Sequence, residues 1–474
     1  MKLGDKLREL ARRLIGSPAV VTATLSPPRP AEPLHDLYLG LDLGTSCSKA
    51  VVRDAQTQHA WVVPLSESED GLDACLNPTR VFELDGTFGL NRVEGALFHT
   101  DLKLGLLDAV ENVNRDRPGA ESRFTAYTAL LLRKVLCWFE KERSRDYQGR
   151  RVCWWLNVGI PQANDSDTVL RQAYRRCLAA ACPLASETSP LTMERVKQAC
   201  AVNSNEVSNI MEGFSAARLE FYPELAAQLA GYALSPHARR GPLLLMDVGA
   251  GTLDVATLIL HEREHAQFCS FHFRRVERLG AWRLFLARLE AIKMAGANET
   301  TLNILLRYEP SQPSPNSFED FLPAGNQHFR EVFRGTSESF AQDCLSCAHD
   351  TVRRFRLRLR AAHETAGFDP FAHKDGNYLP TAMTGGGARL DFYRTNLLTR
   401  LEEKLVPYTQ WNESAHERNR HKQGLKPVPF PVPDGLNAPM SKTVLQANFD
   451  RFSVADGLAR PKDDLMRLTD NDEQ

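Results

Sequence analysis

The chain has 474 residues, 43% of them hydrophobic, with 58 Lys and Arg against 59 Asp and Glu. That length and apolar content can bury a large core divided over two or more lobes, which excludes a fibrous or disordered chain, and the balanced charge excludes a global bias toward nucleic acid. Ten cysteines without disulfide-scaffold spacing, no apolar run of membrane-spanning length and no signal core are the features expected of reduced thiols in a cytoplasmic protein.

Residues 1–16 place Leu3, Leu7, Leu10, Ala11 and Leu14 on one helical face, with Lys2, Lys6, Arg8, Arg12 and Arg13 on the others. A basic amphipathic helix of this kind either docks on an anionic membrane or a partner, or packs on its own domain. Residues 17–33, with Ser26-Pro-Pro-Arg-Pro30, read as a semi-rigid linker.

The stretch Tyr38-Leu-Gly-Leu-Asp-Leu-Gly-Thr-Ser-Cys-Ser-Lys-Ala-Val-Val52 carries the first chemical signal. An apolar run ends in Asp42, turns through Gly44, Thr45 and Ser46, and resumes at Ala50, the pattern of two strands in a hairpin. Such a turn can aim backbone N–H groups and two hydroxyls at a phosphate, while the carboxylate at the strand end takes up a hydrated cation. The plainer alternative is a hairpin whose Asp and Thr only satisfy turn amides.

Val62 to Lys103 is mixed in pattern and predicts a small inserted subdomain, with Lys103 in Phe98-His-Thr-Asp-Leu-Lys-Leu-Gly-Leu106. Phe124 to Lys141 predicts a helix, and Val152 to Ile160 a buried strand ended by Pro161. Asn164-Asp165-Ser166 can cap the helix expected over Thr168 to Ala181. Tyr222 to Leu234 predicts a further helix. Leu243 to Leu260 then repeats the first pattern: strand, Asp247, a turn through Gly249, Ala250 and Gly251, Thr252, strand.

Phe268 to Val276 reads as a strand, and Arg278-Leu-Gly-Ala-Trp282 leads into a long helix. Pro310 to Pro323 reads as a loop inside a second inserted subdomain. Arg353, Arg354, Arg356, Arg358 and Arg360 form a basic helix, best read as a solvated face. Cys344 and Cys347 share a helix face with no second ligand pair, which fits a core thiol pair better than zinc. Pro380 to Leu390 runs from a strand into Gly385, Gly386 and Gly387. Leu397 to Leu405 is helical, residues 423–433 are proline-rich, and Phe449 to Ala459 is a short closing helix before a polar tail.

Two acidic hairpins about half a chain apart, followed by Thr384-Gly-Gly-Gly-Ala-Arg389, make the chain resemble the actin-like ATPase superfamily. It is most similar to the nucleotide-binding domain of heat shock protein 70 (DnaK-type) chaperones, without their substrate-binding domain. The resemblance implies an α/β fold of two duplicated actin-like (ribonuclease H-like) lobes, each with an inserted subdomain, around a central nucleotide cleft. Its implied boundaries are residues 1–35 for the N-terminal helix and linker, 36–240 for lobe I, 241–460 for lobe II with the closing helix, and 461–474 for the tail.

The same resemblance implies ATP and Mg²⁺ as ligands. Asp42 and Asp247 would hold the metal through water, Gly44, Thr45, Ser46, Gly249, Ala250 and Gly251 would hold phosphates, and Gly385, Gly386, Gly387 and Arg389 would hold adenosine. Lys103, Glu224, Asp247 and Thr252 would serve hydrolysis. Lys103 stands in an Asp-x-Lys context whose glycine comes one residue early, so a solvated surface lysine stays open. Glu220 competes with Glu224, whose proline precedes it instead of following.

The function implied is a weak ATPase that acts as a nucleotide-dependent switch on an unidentified protein partner. Two alternatives within the superfamily are a sugar-type small-molecule kinase and an actin-like filament-forming ATPase. The first hairpin and the glycine turn are similar to sugar kinases as well, whereas the second hairpin, with Asp247 and Asp254 at its ends, is not.

Overall fold

The structure is a computed structural model, and it describes residues 34–466 apart from 67–68, 112–115, 162–167, 202–212, 236–237, 239, 264–265, 313, 324, 367–377 and 406–423. The N-terminal helix and linker, the Asn164-Asp165-Ser166 cap and residues 467–474 of the tail lie outside the described residues.

Alternation of apolar residues builds the first strand: Leu37, Leu39, Leu41 and Leu43 all face one core and are fully buried. This strand, β1 (Leu34–Leu43), pairs antiparallel with β2 (Cys47–Asp54), and β2 with β3 (Ala60–Val62). On its other side β1 pairs parallel with β4 (Arg151–Ile160), and β4 with β5 (Leu219–Pro223). Short pairings of Asn77–Pro78 with β2 and Leu436–Asn437 with β3 complete a seven-stranded sheet among the described residues.

The second sheet repeats that order and those senses. Here β6 (Gly241–Val248) pairs antiparallel with β7 (Leu253–Arg263), and β7 with β8 (Ala266–Glu277). Across its other edge β6 pairs parallel with β9 (Tyr378–Thr384), and β9 with β10 (Gly424–Pro427). The two hairpins expected from sequence are therefore β1–β2 and β6–β7.

Between β3 and β4 lie a three-stranded sheet (Val81–Leu84, Thr87–Gly89, Leu97–His99) and helices α1 (Leu102–Glu111) and α2 (Arg117–Glu142). The N-terminus of α2 is capped by Asp116, which accepts from Gly119 N at 3.0 Å. Helix α3 (Thr168–Ser186) packs beside α2 on the first sheet and continues through Pro183, past the expected end at Ala181. Helix α4 (Glu224–Ala233) starts directly after β5 and leads to the second sheet.

In the second half, α5 (Ala281–Met294) packs on the 40-residue helix α6 (Gln327–Ala366). Residues 310–323 are not wholly loop, because Ser317 and Asp320 form a capping box that starts a helical turn at Phe318–Phe321. That turn buries Phe318 and Phe321 with Phe285 and Phe333 in a small core of its own. On α6, Arg353, Arg354 and Arg358 are exposed as expected, but Arg356 is buried beside Phe355 and the arginine row is not one solvated face. Cys344 and Cys347 are free and buried in the second sheet's core.

Helix α7 (Ser453–Leu458) crosses α4, and a last helical turn at Lys462–Met466 buries Leu465 in the apolar cluster around that crossing, so the stretch expected as a polar tail from 461 begins as packed structure. The crossing is so close that a Cβ at Gly457 would overlap the Ala227 carbonyl oxygen. Asp456, fully buried on α7, pairs with Arg53 Nη2 of β2 at 2.6 Å, and Asn157 Nδ2 of β4 donates to Leu458 O at 2.7 Å. Side chains from both sheets, α4 and α7 share one apolar cluster there. No helix among the described residues is long and apolar enough to cross a membrane.

Candidate functional site

Hairpin register decides what stands beside each predicted carboxylate. In β1–β2, Asp42 lies directly opposite Lys49, and Lys49 Nζ reaches Asp42 Oδ2 at 2.8 Å. The turn between them is braced from outside by Thr79, whose hydroxyl donates to Gly44 O at 2.6 Å and whose N–H donates to Ser46 O at 2.9 Å. In β6–β7, the same register places Asp247 opposite Asp254. This second turn closes with Gly249 N donating to Thr252 O at 2.9 Å. The N–H groups of Ala281 and Trp282, in the first turn of α5, donate to the Gly249 and Ala250 carbonyls at 3.0 and 2.9 Å.

The two hairpin tips approach each other: a Cβ added at Gly251 would stand 2.8 Å from Thr45 Oγ1. They line a cleft of about 810 Å³ together with Lys103, Glu224, Asp247, Thr252, Arg389 and the glycines at 385–387. Of the residues singled out from sequence, Asp42, Gly44, Thr45, Ser46, Gly249 and Ala250 also face it, whereas Gly251 sits between the hairpin tips. Glu220 stands outside, paired with Lys462 at 3.3 Å, so the cleft carries Glu224 of the two competing glutamates.

Lys103 is not a surface lysine. It is 7% exposed at the start of α1, and its Nζ meets Glu224 Oε1, at the start of α4, at 2.6 Å. Burial presses the ammonium toward neutrality, but Glu224, Tyr174 and Asp42 outweigh it and hold its pKa above the ordinary lysine value. Burial also pushes the Glu224 carboxyl up, with Asp42 adding to it and Lys103 opposing.

The third wall comes from the end of β9. Gly385 has φ +84°, and a Cβ there would run into Asp247 Oδ1, so only glycine lets this turn lie against the carboxylate. Arg389 lies in the single helical turn Gly386–Arg389 and is anchored, its Nη2 donating to Ala447 O and Asp450 Oδ1, both at 2.8 Å. Gly385 is followed by one 3₁₀ turn and then a π-type stretch at Phe392–Leu397. At the mouth, an ion pair between Arg80 and Glu309 ties the first inserted segment to the second.

Crowded carboxylates dominate the field inside. Burial, Glu224 and Asp42 push Asp247 up to about 7, against Lys49 and Gln228. Burial, Asp247 and Glu224 push Asp254 well above the usual carboxylate range. Asp247 Oδ1 is buried without a hydrogen-bond partner. These residues fit a hydrated divalent cation, which relieves carboxylate repulsion and favours oxygen donors. Among the described residues no group of three metal-ligating side chains lies close enough to cage an ion directly.

Sequence reasoning missed Lys49, Gln228 and Thr79, and met Asp254 only as the end of a motif. Lys49 and Asp254 each follow their hairpin acid by seven residues, the separation that puts them opposite it. Gln228 follows Glu224 by four, on the same face of α4. Nothing in the sequence marks Thr79, which reaches the first turn from 31 to 35 residues away.

No family model matches the chain, and no curated protein matches it. Among solved structures, two similar ones are the "pCBH ParM non-polymerisable quadruple mutant" and the "MamK double helical filament". Each is 12% identical over 90% of this chain and 98% of the other, with a TM-score of 0.42. At that distance the likeness decides nothing about the ligand or assembly of this chain.

Proposed function

We propose that the chain is an actin-like ATPase that binds ATP with Mg²⁺ between two related lobes, 36–240 and 241–460, and hydrolyses it slowly as a conformational switch. One observation carries this reading: two acidic hairpin turns from sheets of the same strand order face each other across one cleft, with a glycine turn on the third side. Turns of this kind suit the triphosphate, and the glycine turn lets a flat base and ribose approach backbone.

In the mechanism proposed, Thr45, Ser46 and the turn from Gly249 to Thr252 donate to phosphate oxygens, and Lys49 and Lys103 offset their charge. Asp42 and Asp247 would hold the waters of Mg²⁺, which supplies charge neutralisation of the phosphates when bound. Glu224, fixed by Lys103, orients the attacking water. Gly385, Gly386 and Gly387 border adenosine, with Arg389 holding that wall in place through Asp450. Loss of the γ-phosphate lets the cleft relax, and a protein partner can read that motion.

Calorimetric titration with ATP and Mg²⁺, followed by phosphate release without any added acceptor, tests this. Binding with slow acceptor-free release is expected. Binding with release only when a sugar is added would make the chain a kinase, and absence of binding would overturn the reading.

A second reading, a filament built from copies of this chain, is favoured by exposed apolar residues on both inserted segments. Leu97 and Phe98 are 64% and 43% exposed on the first, and Met294 and Leu306 are 78% and 66% exposed on the second. ATP-dependent sedimentation would separate a filament from the single-chain switch that the heat shock protein 70 resemblance implies.

A further inference from the structure

Gln228 is a buried amide whose hydrogen-bonding capacity the fold leaves largely unused. It is 1% exposed, it lies on α4 one turn beyond Glu224, and it borders the cleft. Neither its Nε2 nor its Oε1 makes a hydrogen bond of good geometry among the described residues, although the amide lies close enough to the Asp247 carboxyl to act on it. Native cores seldom leave both ends of a buried amide unmet, because each group loses its water without replacement. The neighbours on α4 are Leu225, Ala226, Ala227 and Leu229, all buried, so leucine or methionine would fill position 228 without that loss.

The direction of the amide narrows its role. Positions four apart share a helix face, so Gln228 and Glu224 point the same way. Next to it on α4, Ala227 is where the helix backbone meets Gly457 of α7. Gln228 also acts on Asp247, drawing its pKa down, and Asp247 Oδ1 is itself buried and unpartnered. Three polar groups from two elements, namely Glu224, Gln228 and Asp247, therefore border one part of the cleft with hydrogen-bonding capacity left over.

We propose that Gln228 is a catalytic residue that holds the attacking water for ATP hydrolysis, accepting from it with Oε1 while Nε2 donates to Asp247 Oδ1. The inference rests on the ATPase reading above and adds a residue to that site. In the step, the water oxygen forms a bond to the γ-phosphorus, and the bond from that phosphorus to the β–γ bridging oxygen breaks with its electron pair leaving on ADP. The water proton passes through Glu224 to an oxygen of the departing phosphate, which leaves the enzyme unchanged. An uncharged amide suits this task because it fixes the water's orientation without adding a further negative charge beside Asp247 and Glu224.

The test compares wild type with Gln228→Leu and, as a second variant of nearly the same shape, Gln228→Met. Three measurements are made on each: single-turnover phosphate release, the dissociation constant for ATP with Mg²⁺, and the thermal midpoint. The expected result is a loss in turnover of about a hundredfold, an unchanged dissociation constant, and a midpoint equal to or above wild type. Wild-type turnover in either variant overturns the inference and leaves the ATPase reading standing. Loss of turnover together with loss of binding and a lowered midpoint also overturns it, because that pattern belongs to packing. A wild-type chain that binds no ATP overturns the ATPase reading, and this inference with it.

Discussion

The two hairpins are alike in backbone and different in charge. In each, the acid that ends the first strand stands across from the residue seven positions later. The first hairpin puts Lys49 there, and Asp42 forms an ion pair at 2.8 Å. The second puts Asp254 there, and two buried carboxyls share one face, with Asp247 pushed up to about 7. Like charges directly opposite in a sheet are destabilising. The first hairpin therefore carries its own counter-charge, while in the second a bound cation would relieve the two carboxyls.

The largest break comes from the pair beneath both hairpins. Lys103→Met leaves Glu224 buried and uncompensated, and removing one member of a buried pair commonly costs about 3 to 5 kcal/mol. Urea denaturation should show most of that loss, and the double change Lys103→Met with Glu224→Gln should recover much of it. A single variant as stable as wild type would mean that Lys103 is not buried in that pair.

Next in size is the second hairpin's own acid. Asp247→Asn should lower phosphate release about a hundredfold or more, the cost typical of a lost charge-stabilising group. Its thermal midpoint should not fall, since Oδ1 has no partner to lose. Unimpaired release from this variant would contradict the proposed mechanism.

Lys49→Met removes the first hairpin's counter-charge and leaves Asp42 without its ion pair. Affinity for ATP should fall about tenfold, the equivalent of roughly 1.4 kcal/mol, with a steeper dependence on Mg²⁺. An affinity equal to wild type would show that Lys49 serves only the hairpin.

The smallest effect separates the sheets by pH. In the second sheet, His272 is the extra residue of a bulge between Leu258↔Phe271 and Thr257↔Phe273. Burial, Arg358 and His261 lower its pKa from 6.5 to about 4. The unfolded chain binds that proton first, so stability is full above 6.5 and is lost as pH falls from 6.5 toward about 4. In the first sheet, burial raises Asp54, but the Thr57 and Gln56 amides and His35 outweigh it and lower its pKa, so its contribution fades only at more acid pH. Denaturation at pH 7 and 5 should show His272→Phe losing less stability than wild type, by about 1 kcal/mol after allowance for partial exposure. Equal losses would mean that His272 is solvated.

Strand and helix order was legible because it follows from local apolar periodicity, as with Leu37 to Leu43 and the β1–β2 turn. The cleft residues were legible where chemistry sits inside one short motif, such as Asp42 to Ser46 or Gly385 to Arg389. What escaped depends on partners distant in sequence. The buried state of Lys103 depends on Glu224, 121 residues away, and the arrest of Asp456 depends on Arg53, 403 residues away. Arg356 looked like one of a solvated row because composition does not tell which face of a 40-residue helix meets a sheet.

One titration tests most directly whether both hairpins serve a single ligand: ATP with Mg²⁺ against wild type, Asp42→Asn, Asp247→Asn and the double variant. One ATP should bind per chain, binding should need Mg²⁺, and the Mg²⁺ dependence should be weakened by either single change and lost in the double. Two independent sites, or Mg²⁺-dependent binding unaffected by Asp247→Asn, would contradict a shared site.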